Sequence, residues 1–492
     1  MSQETATTHG DVQNFVGGEW ITPTGEDGQD VVNPATGESI ARVEFSSSTD
    51  VDAAVEAGQE AFESWRKQDV EARIQPLFRY KQLLEDHQDE LAELLVQEHG
   101  KTRGEAMGEL RRGIENVEAA CGVPTLLQSG HVQNAAPNID ETAVRQPLGV
   151  FAAITPFNFP GMIPLWFMPY AVATGNAFIL KPSERDPLVP QRLVELAQEA
   201  GFPDGIVQLV NGGVDTVNAI LEHDGIEGIS FVGSTPVART IYEKGAANGK
   251  RVQAQGGAKN HVIVTESADL EFAAEKAVSS SFACSGERCL ANDNVVVEAS
   301  VYEEFVDLVV EQAEAQVVGN GLDDDTTIGP LITPEHEQAV RNYVETGVQE
   351  GAELIVDGRD VSVEGYEDGN FLGPCVFRDV TADMTIAREE IFGPVINVMS
   401  ASDFDEAIET MNASDFGNAA SLFTGSGAEA KQFRHDAEAG NLAVNAGTAA
   451  PMAFFHFGGE KDSFFGDLHA QAEDVTRFYT DETVYIERWP DV

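Results

Sequence analysis

From residue 146 to residue 180 the chain carries no charged side chain, although 83 of its 492 residues are acidic and 30 are basic. A stretch of that length could cross a bilayer as a helix. Pro147, Pro156, Pro160, Pro164 and Pro169 interrupt it, and Asn158 sits inside it. Each interior proline removes a helical hydrogen bond and clashes with the preceding turn. A spanning helix is therefore excluded, and the stretch reads as the buried core of a globular protein. Within it, residues 150–154 and 177–180 are short and apolar throughout, which predicts two buried strands.

The segments that follow continue the alternation. Residues 188–200 read as a helix, 206–210 as a strand, 214–221 as a helix and 229–232 as a strand that ends in Gly233-Ser234-Thr235. Such β–α alternation implies an α/β fold with a parallel sheet covered by helices on both faces. Ligands of such sheets bind at the carboxyl ends of the strands. The glycine pattern G-x-G-x-x-G is absent, so the phosphate grip must differ from the common one. A second series, with strands at 262–265, 294–298, 395–399 and 442–445, predicts a second α/β lobe. Ahead of the first lobe, residues 15–20 read as short strands. Asp50 is expected to cap a helix carrying Val51, Ala54, Ala57, Ala61 and Trp65 at helical spacing. Further helices are expected near 71–98 and 103–121.

Hydrophobic residues make up 42% of the chain, enough for the cores of two or three domains. The net charge of -53 comes from acids spread along the whole sequence rather than gathered in a tail. Such a field repels nucleic acid and anionic membranes. It fits a halophilic source, where molar salt shortens the Debye length and screens the self-repulsion. Cys121, Cys284, Cys289 and Cys375 are too scattered for a disulfide framework, and no closed metal-ligand set accompanies them, so no metal is expected. Residues 1–10 are polar, unlike a signal or transit peptide, which gives a cytoplasmic expectation.

Three short motifs carry chemistry. In Ser-Gly-Glu-Arg-Cys, Cys289 follows Arg288, and a neighbouring cation favours the nucleophilic thiolate. Gly286 permits a sharp turn, so that the Cys289 Sγ and its own N–H can face one pocket. In Pro156-Phe157-Asn158-Phe159-Pro160, an amide held between two prolines can sit beside the Cys289 N–H as an oxyanion hole for a tetrahedral adduct. In Lys181-Pro182-Ser183-Glu184, at a strand end, the lysine can donate to ribose hydroxyls and the carboxylate can accept from them. Glu184 would repel a 2′-phosphate, which favours NAD over NADP. Gly233-Ser234 offers an N–H and a hydroxyl for a pyrophosphate. The adjacent Arg111 and Arg112 lie amid acids, as on an ordinary solvated ion-paired face.

Taken together with Phe231-Val232-Gly233-Ser234-Thr235 and Glu389-Glu390-Ile391-Phe392-Gly393-Pro394, these motifs resemble the aldehyde dehydrogenase superfamily across nearly the whole chain. The resemblance implies a Rossmann-type NAD-binding domain at 1–130 and 150–257 and a catalytic domain at 258–455. It also implies a small β oligomerisation arm with the C-terminal return, at 131–149 and 456–492, and hence a homo-oligomer, dimer or tetramer. It implies that Thr155, Phe157, Lys181, Glu184, Arg185, Gly233, Ser234 and Phe392 contact NAD, and that Glu390 holds the nicotinamide ribose.

One departure selects a branch. Hydrolytic members carry a glutamate as general base where this chain has Gln255, in Gln255-Gly256-Gly257-Ala258-Lys259-Asn260. A neutral amide cannot take a proton from water at neutral pH. A thioacyl enzyme should then persist until a thiol such as coenzyme A removes the acyl group. The neutral residue, Ile163-Pro164-Leu165-Trp166 and Phe464-Phe465-Gly466-Asp467-Leu468-His469 resemble the methylmalonate-semialdehyde dehydrogenase branch, which usually has asparagine at the position of Gln255. By this likeness Arg112 and Arg288 hold the carboxylate of a malonate or methylmalonate semialdehyde bidentately. The implied reaction is NAD- and coenzyme A-dependent oxidation and decarboxylation to acetyl- or propionyl-CoA through a Cys289 thioester. The alternative is a hydrolytic NAD-dependent semialdehyde dehydrogenase giving the free acid.

Overall fold

The computed structural model describes residues 9–489; most of the polar N-terminal run, residues 1–8, and residues 490–492 lie outside the described residues. The uncharged stretch contains the strand Val150–Ile154, the helix Ile163–Thr174 and the strand Ala177–Lys181, and every residue of all three is buried. Pro164 occupies the first turn of that helix, where no hydrogen bond is lost, and Pro169 lies inside it. A helix apolar on every side belongs in a core rather than on a surface.

The two strands are central to an eight-stranded sheet. Its parallel run is Arg251–Gln255, Ile226–Val232, Val150–Ile154, Ala177–Lys181 and Val207–Leu209. Antiparallel strands close both ends: Phe464–Phe465 pairs with Arg251–Gln255, and Asn14–Val16 pairs with Val207–Leu209. The chain starts at Val150–Ile154, builds outward on one side, then returns to build on the other. The order therefore reverses between Val150–Ile154 and Ile226–Val232, and a crevice opens outside their carboxyl ends.

The second sheet has seven strands, in the order Glu353–Val356, Cys375–Arg378, Val395–Ala401, Asn294–Glu298, His261–Val264, Ala419–Phe423, Asn441–Val444. Only the Glu353–Val356 pairing is antiparallel. A three-stranded antiparallel ribbon joins His131–Ala136, Ile139–Pro147 and Thr480–Arg488. No described helix is long and apolar enough to cross a membrane.

Two local expectations are corrected. The helix Ser48–Trp65 is capped by Ser47, not by Asp50. Asp50 stands three residues further on, and its carboxylate accepts the Ser47 N–H at 2.8 Å, the reciprocal half of a capping box. The helix expected near 71–98 is two helices, Val70–Asp86 and Gln88–His99, broken at His87.

Candidate active site

Cys289 follows a one-turn helix, Ala283–Gly286, in which Cys284 and Ser285 have φ of 50° and 56°. Gly286 has φ +78°, and a Cβ there would lie 2.1 Å from the Gly393 carbonyl oxygen, so only glycine fits the turn. The turn is pinned by the Cys284 N–H donating to Glu105 at 2.6 Å and the Ser285 hydroxyl donating to the Gly329 carbonyl at 2.8 Å. The Cys289 carbonyl accepts from the Asn260 and Asn418 amides at 2.9 and 2.7 Å. Burial pushes the half-buried Cys289 thiol up to about 12; Arg288 and the residue's own N–H work against this, while Glu390 adds to it. Arg288 thus favours the thiolate, as its place beside Cys289 implies, while desolvation works against it and is the larger effect.

Two cavities meet at this cysteine. The larger, about 700 Å³, opens at the crevice where the strand order reverses. The structure brings to its wall Thr155, Phe157, Asn158, Lys181, Glu184, Arg185, Gly233, Ser234, Glu390 and Phe392, together with Cys289. Lys181 Nζ lies 3.2 Å from Glu184 Oε2. Burial pulls the Lys181 ammonium below its ordinary value; the Glu184 carboxyl, raised by burial but lowered by more through Lys181, its own N–H and Arg185 together, ends below its own. Arg185 donates to the Thr333 hydroxyl at 3.2 Å, with its guanidinium carbon 6.0 Å from the Phe157 ring centre. Phe392, at φ +57°, meets the Phe157 ring edge to face.

At the start of the helix Thr235–Ala247, Ser234 is the N-cap but makes no side-chain cap bond, which leaves its hydroxyl free. The Gly233 N–H donates to the Gln255 carbonyl at 3.1 Å and so continues the sheet pairing. Glu390 is held on the neighbouring turn: Oε1 accepts the Ala258 N–H at 2.9 Å, and burial raises its carboxyl to about 7. These features suit a dinucleotide. A helix N-terminus faces the cavity, the buried Thr155 hydroxyl lacks a partner, and an amine and a carboxylate stand at one strand end.

The second cavity, about 460 Å³, is walled by Phe159, Met162, Trp166, Phe457 and Pro451, with Arg111, Arg112, Arg288, Glu105 and Glu109 among its polar residues. Among the described residues, Cys289 alone lines both cavities. Arg288 makes no ion pair or side-chain hydrogen bond among the described residues, so its guanidinium is available. Arg112 is not poised to the same degree. It pairs with Glu115 at 2.7 Å, donates to the Pro451 carbonyl and contacts Met452 Sδ at 3.2 Å. Arg111 engages Glu85, Glu115 and Glu118, as on a solvated face, although it too reaches the cavity rim.

Asn158 donates one amide hydrogen to the Glu287 carbonyl at 2.9 Å, which leaves the other for a ligand. Gln255 departs from expectation. Its side chain is buried, both of its polar atoms lack partners, and it lines neither cavity. No sequence motif pointed to His336, Lys101 or Glu109, and Glu287 stood in the Cys289 motif without an assigned role. His336 lines the larger cavity and contacts the Phe392 carbonyl at 2.7 Å. The Glu287 side chain is fully buried and raised by burial to about 8.

The Aldehyde dehydrogenase family profile matches residues 20–484. The chain belongs to this family. Malonate-semialdehyde dehydrogenase 2 of Bacillus cereus is 49% identical over 97% of this chain and 98% of its own. Malonate-semialdehyde dehydrogenase 1 of Geobacillus kaustophilus is 47% identical over the same shares. Among solved structures, a Sinorhizobium meliloti 1021 protein complexed with NAD superposes with a TM-score of 0.97 at 42% identity, covering 98% of both chains. Methylmalonate-semialdehyde dehydrogenase from Oceanimonas doudoroffii gives 0.96 at 42% identity, covering 98% of this chain and 99% of that one. The fold of this aldehyde dehydrogenase is thus shared, over nearly all of the chain, with members whose names give short semialdehydes as substrates.

Proposed function

We propose that this aldehyde dehydrogenase oxidises malonate or methylmalonate semialdehyde with NAD and passes the acyl group to coenzyme A. The observation that carries the reading is the position of Cys289 as the common wall of two cavities, one suited to a dinucleotide and one to a small substrate. The names of the similar proteins support the substrate class, and the NAD bound in one of them supports the cofactor.

In this reading Cys289 Sγ bonds to the aldehyde carbon while the carbonyl electron pair moves onto oxygen. Asn158 and the Cys289 N–H donate to that oxygen, and donors of this kind are worth about 3–4 kcal/mol each. Glu390, held near 7 on the same cavity wall, suits the role of proton acceptor from the thiol. Thr155, Lys181, Glu184, Ser234 and Phe392 hold NAD, which when bound supplies the acceptor for the hydride leaving the aldehyde carbon. Arg288, with its unengaged guanidinium, holds the substrate carboxylate, and Arg112 joins it by releasing Pro451. The Cys289 thioester then draws electrons from the breaking carbon–carboxylate bond as CO₂ leaves. The resulting enolate, its oxygen held by the same two donors, takes a proton at carbon from solvent to give the acetyl or propionyl thioester. A coenzyme A thiolate attacks the acyl carbon and frees Cys289. The absence of an ionisable residue at Gln255 supports thiol rather than water as acceptor.

The exposed Val484, Tyr485, Ile486 and Trp489 on and beside the outer ribbon strand support assembly with further copies, as a dimer or tetramer. The net charge of -53 supports a cytoplasmic, high-salt setting. The test is NADH formation from malonate semialdehyde in molar KCl. A single burst without coenzyme A that becomes continuous on its addition is expected. Continuous turnover without it would make the enzyme hydrolytic, and no burst would remove the assigned reaction.

A further inference from the structure

The Asn158 side chain lines the larger cavity, but its backbone is held by two buried charges. Lys101 Nζ donates to the Asn158 carbonyl at 2.7 Å and pairs with Glu109 Oε2, and both side chains are completely buried. The other Glu109 oxygen accepts the Gly161 and Met162 N–H groups at 2.7 and 3.0 Å. Lys101 also lies over the Phe159 ring, 4.4 Å from its centre. One ion pair therefore grips three backbone atoms of the 158–162 segment, while the Asn158 amide is fixed on its far side by the Glu287 carbonyl at 2.9 Å. Bulk stabilisation does not explain such an arrangement. A buried ion pair is often no better for stability than apolar residues of the same volume, whereas a misplaced oxyanion donor is costly to catalysis.

Burial pulls the Lys101 ammonium down, but Glu109, Cys284 and Glu105 together raise it by more, so it stays charged. Glu109 lies beside the smaller cavity with its carboxylate completely buried, so an unbalanced charge there would act on an anionic substrate at short range. Lys101 neutralises it there.

We propose that Lys101 and Glu109 are positioning residues for the oxyanion hole, setting the aim of the Asn158 amide through the backbone of the 158–162 segment. This rests on the proposed reaction only through the readout of its rate. The experiment compares the wild type with Lys101→Met and with the double variant Lys101→Met/Glu109→Leu, which removes both charges and leaves no buried carboxylate unpaired should the single variant fail to fold. Each is also made in an Asn158→Ala background. The first readout is the rate constant of the NADH burst from malonate semialdehyde. The second is hydrogen exchange at the Gly161 and Met162 amides, which needs no substrate.

The double variant should slow the burst by about a hundredfold, as losing one oxyanion donor does, with the aldehyde KM unchanged. In the Asn158→Ala background the same change should cost nothing further, because both act through one donor. Exchange at Gly161 and Met162 should rise. A full additive loss in the Asn158→Ala background, an unchanged burst or unchanged exchange would overturn the proposal. A wild type without a burst would refute the assigned reaction, and the exchange readout would still decide the grip on the loop.

Discussion

The resting state of Cys289 gives the sharpest prediction. Burial holds the thiol at about 12 against an ordinary 9.0, with Arg288 opposing the rise and Glu390 adding to it. Forming the thiolate in the empty site therefore costs about 4 kcal/mol more than in an ordinary cysteine. At pH 7 roughly one molecule in 100,000 carries the thiolate. The assay is alkylation by iodoacetamide with no substrate present, read at the Cys289 peptide by mass spectrometry. The rate should climb tenfold per pH step from 7 to 10 with no plateau, because the thiolate alone reacts. Arg288→Met removes the one guanidinium that lowers this thiol and should slow alkylation at every pH. A plateau with a midpoint below 9 would refute the reasoning, since Arg288 and the Cys289 N–H would then outweigh desolvation.

Three further outcomes follow from single side chains. Gln255→Met replaces a buried amide whose polar atoms have no partners; it should raise stability by about 1–2 kcal/mol in urea unfolding, with the NADH burst unchanged. Arg288→Met should raise the KM for malonate semialdehyde by about ten- to a hundredfold, the worth of a charge-assisted hydrogen bond, and leave that for propanal unchanged. Glu287 is held at about 8 by burial against 4.5 in the unfolded chain. The folded protein therefore binds the extra proton between those values, and stability falls as pH rises from 4.5 to 8, by up to about 1.4 kcal/mol per pH step. Glu287→Gln keeps an acceptor for the Ile332 N–H and should lessen the pH dependence of the urea midpoint between pH 5 and 8, with Glu390 and other raised carboxyls supplying the remainder; identical slopes in both proteins would refute it.

Much of the fold was legible because burial leaves a mark in the residue types. The strand Asn294–Glu298 and the helix Leu188–Ala200 begin and end where the apolar pattern places them. The helix Ile163–Thr174 was not assigned, because a helix buried on every side has no polar face and therefore no period to read. Pro164 and Pro169 hid it further. The strand Ala419–Phe423 was missed because it opens with Ala-Ala-Ser, small and polar residues that give only a weak apolar run although all five are buried. The Asp50 cap failed differently. Serine and aspartate both suit the N-cap, and only the geometry shows which takes it and which reaches back.

The site was legible where a side chain faces a ligand and illegible where one holds a backbone. Cys289, Asn158, Lys181 and Glu184 stand in motifs whose residue types match the chemistry they face. Lys101 and Glu109 act on the Asn158 carbonyl and on the N–H groups of Gly161 and Met162. Every residue has a carbonyl and nearly every one an N–H, so such partners leave no compositional signal. The same logic explains Gln255. Its place in the sequence marks a missing base, but its backbone carbonyl engages the Gly233 N–H while its amide points to neither cavity. A residue inferred from its side chain can thus owe its structural part to its main chain. The absence of a base at position 255 then bears on the reaction through what the side chain cannot do, while the strand that carries it shapes the cofactor crevice.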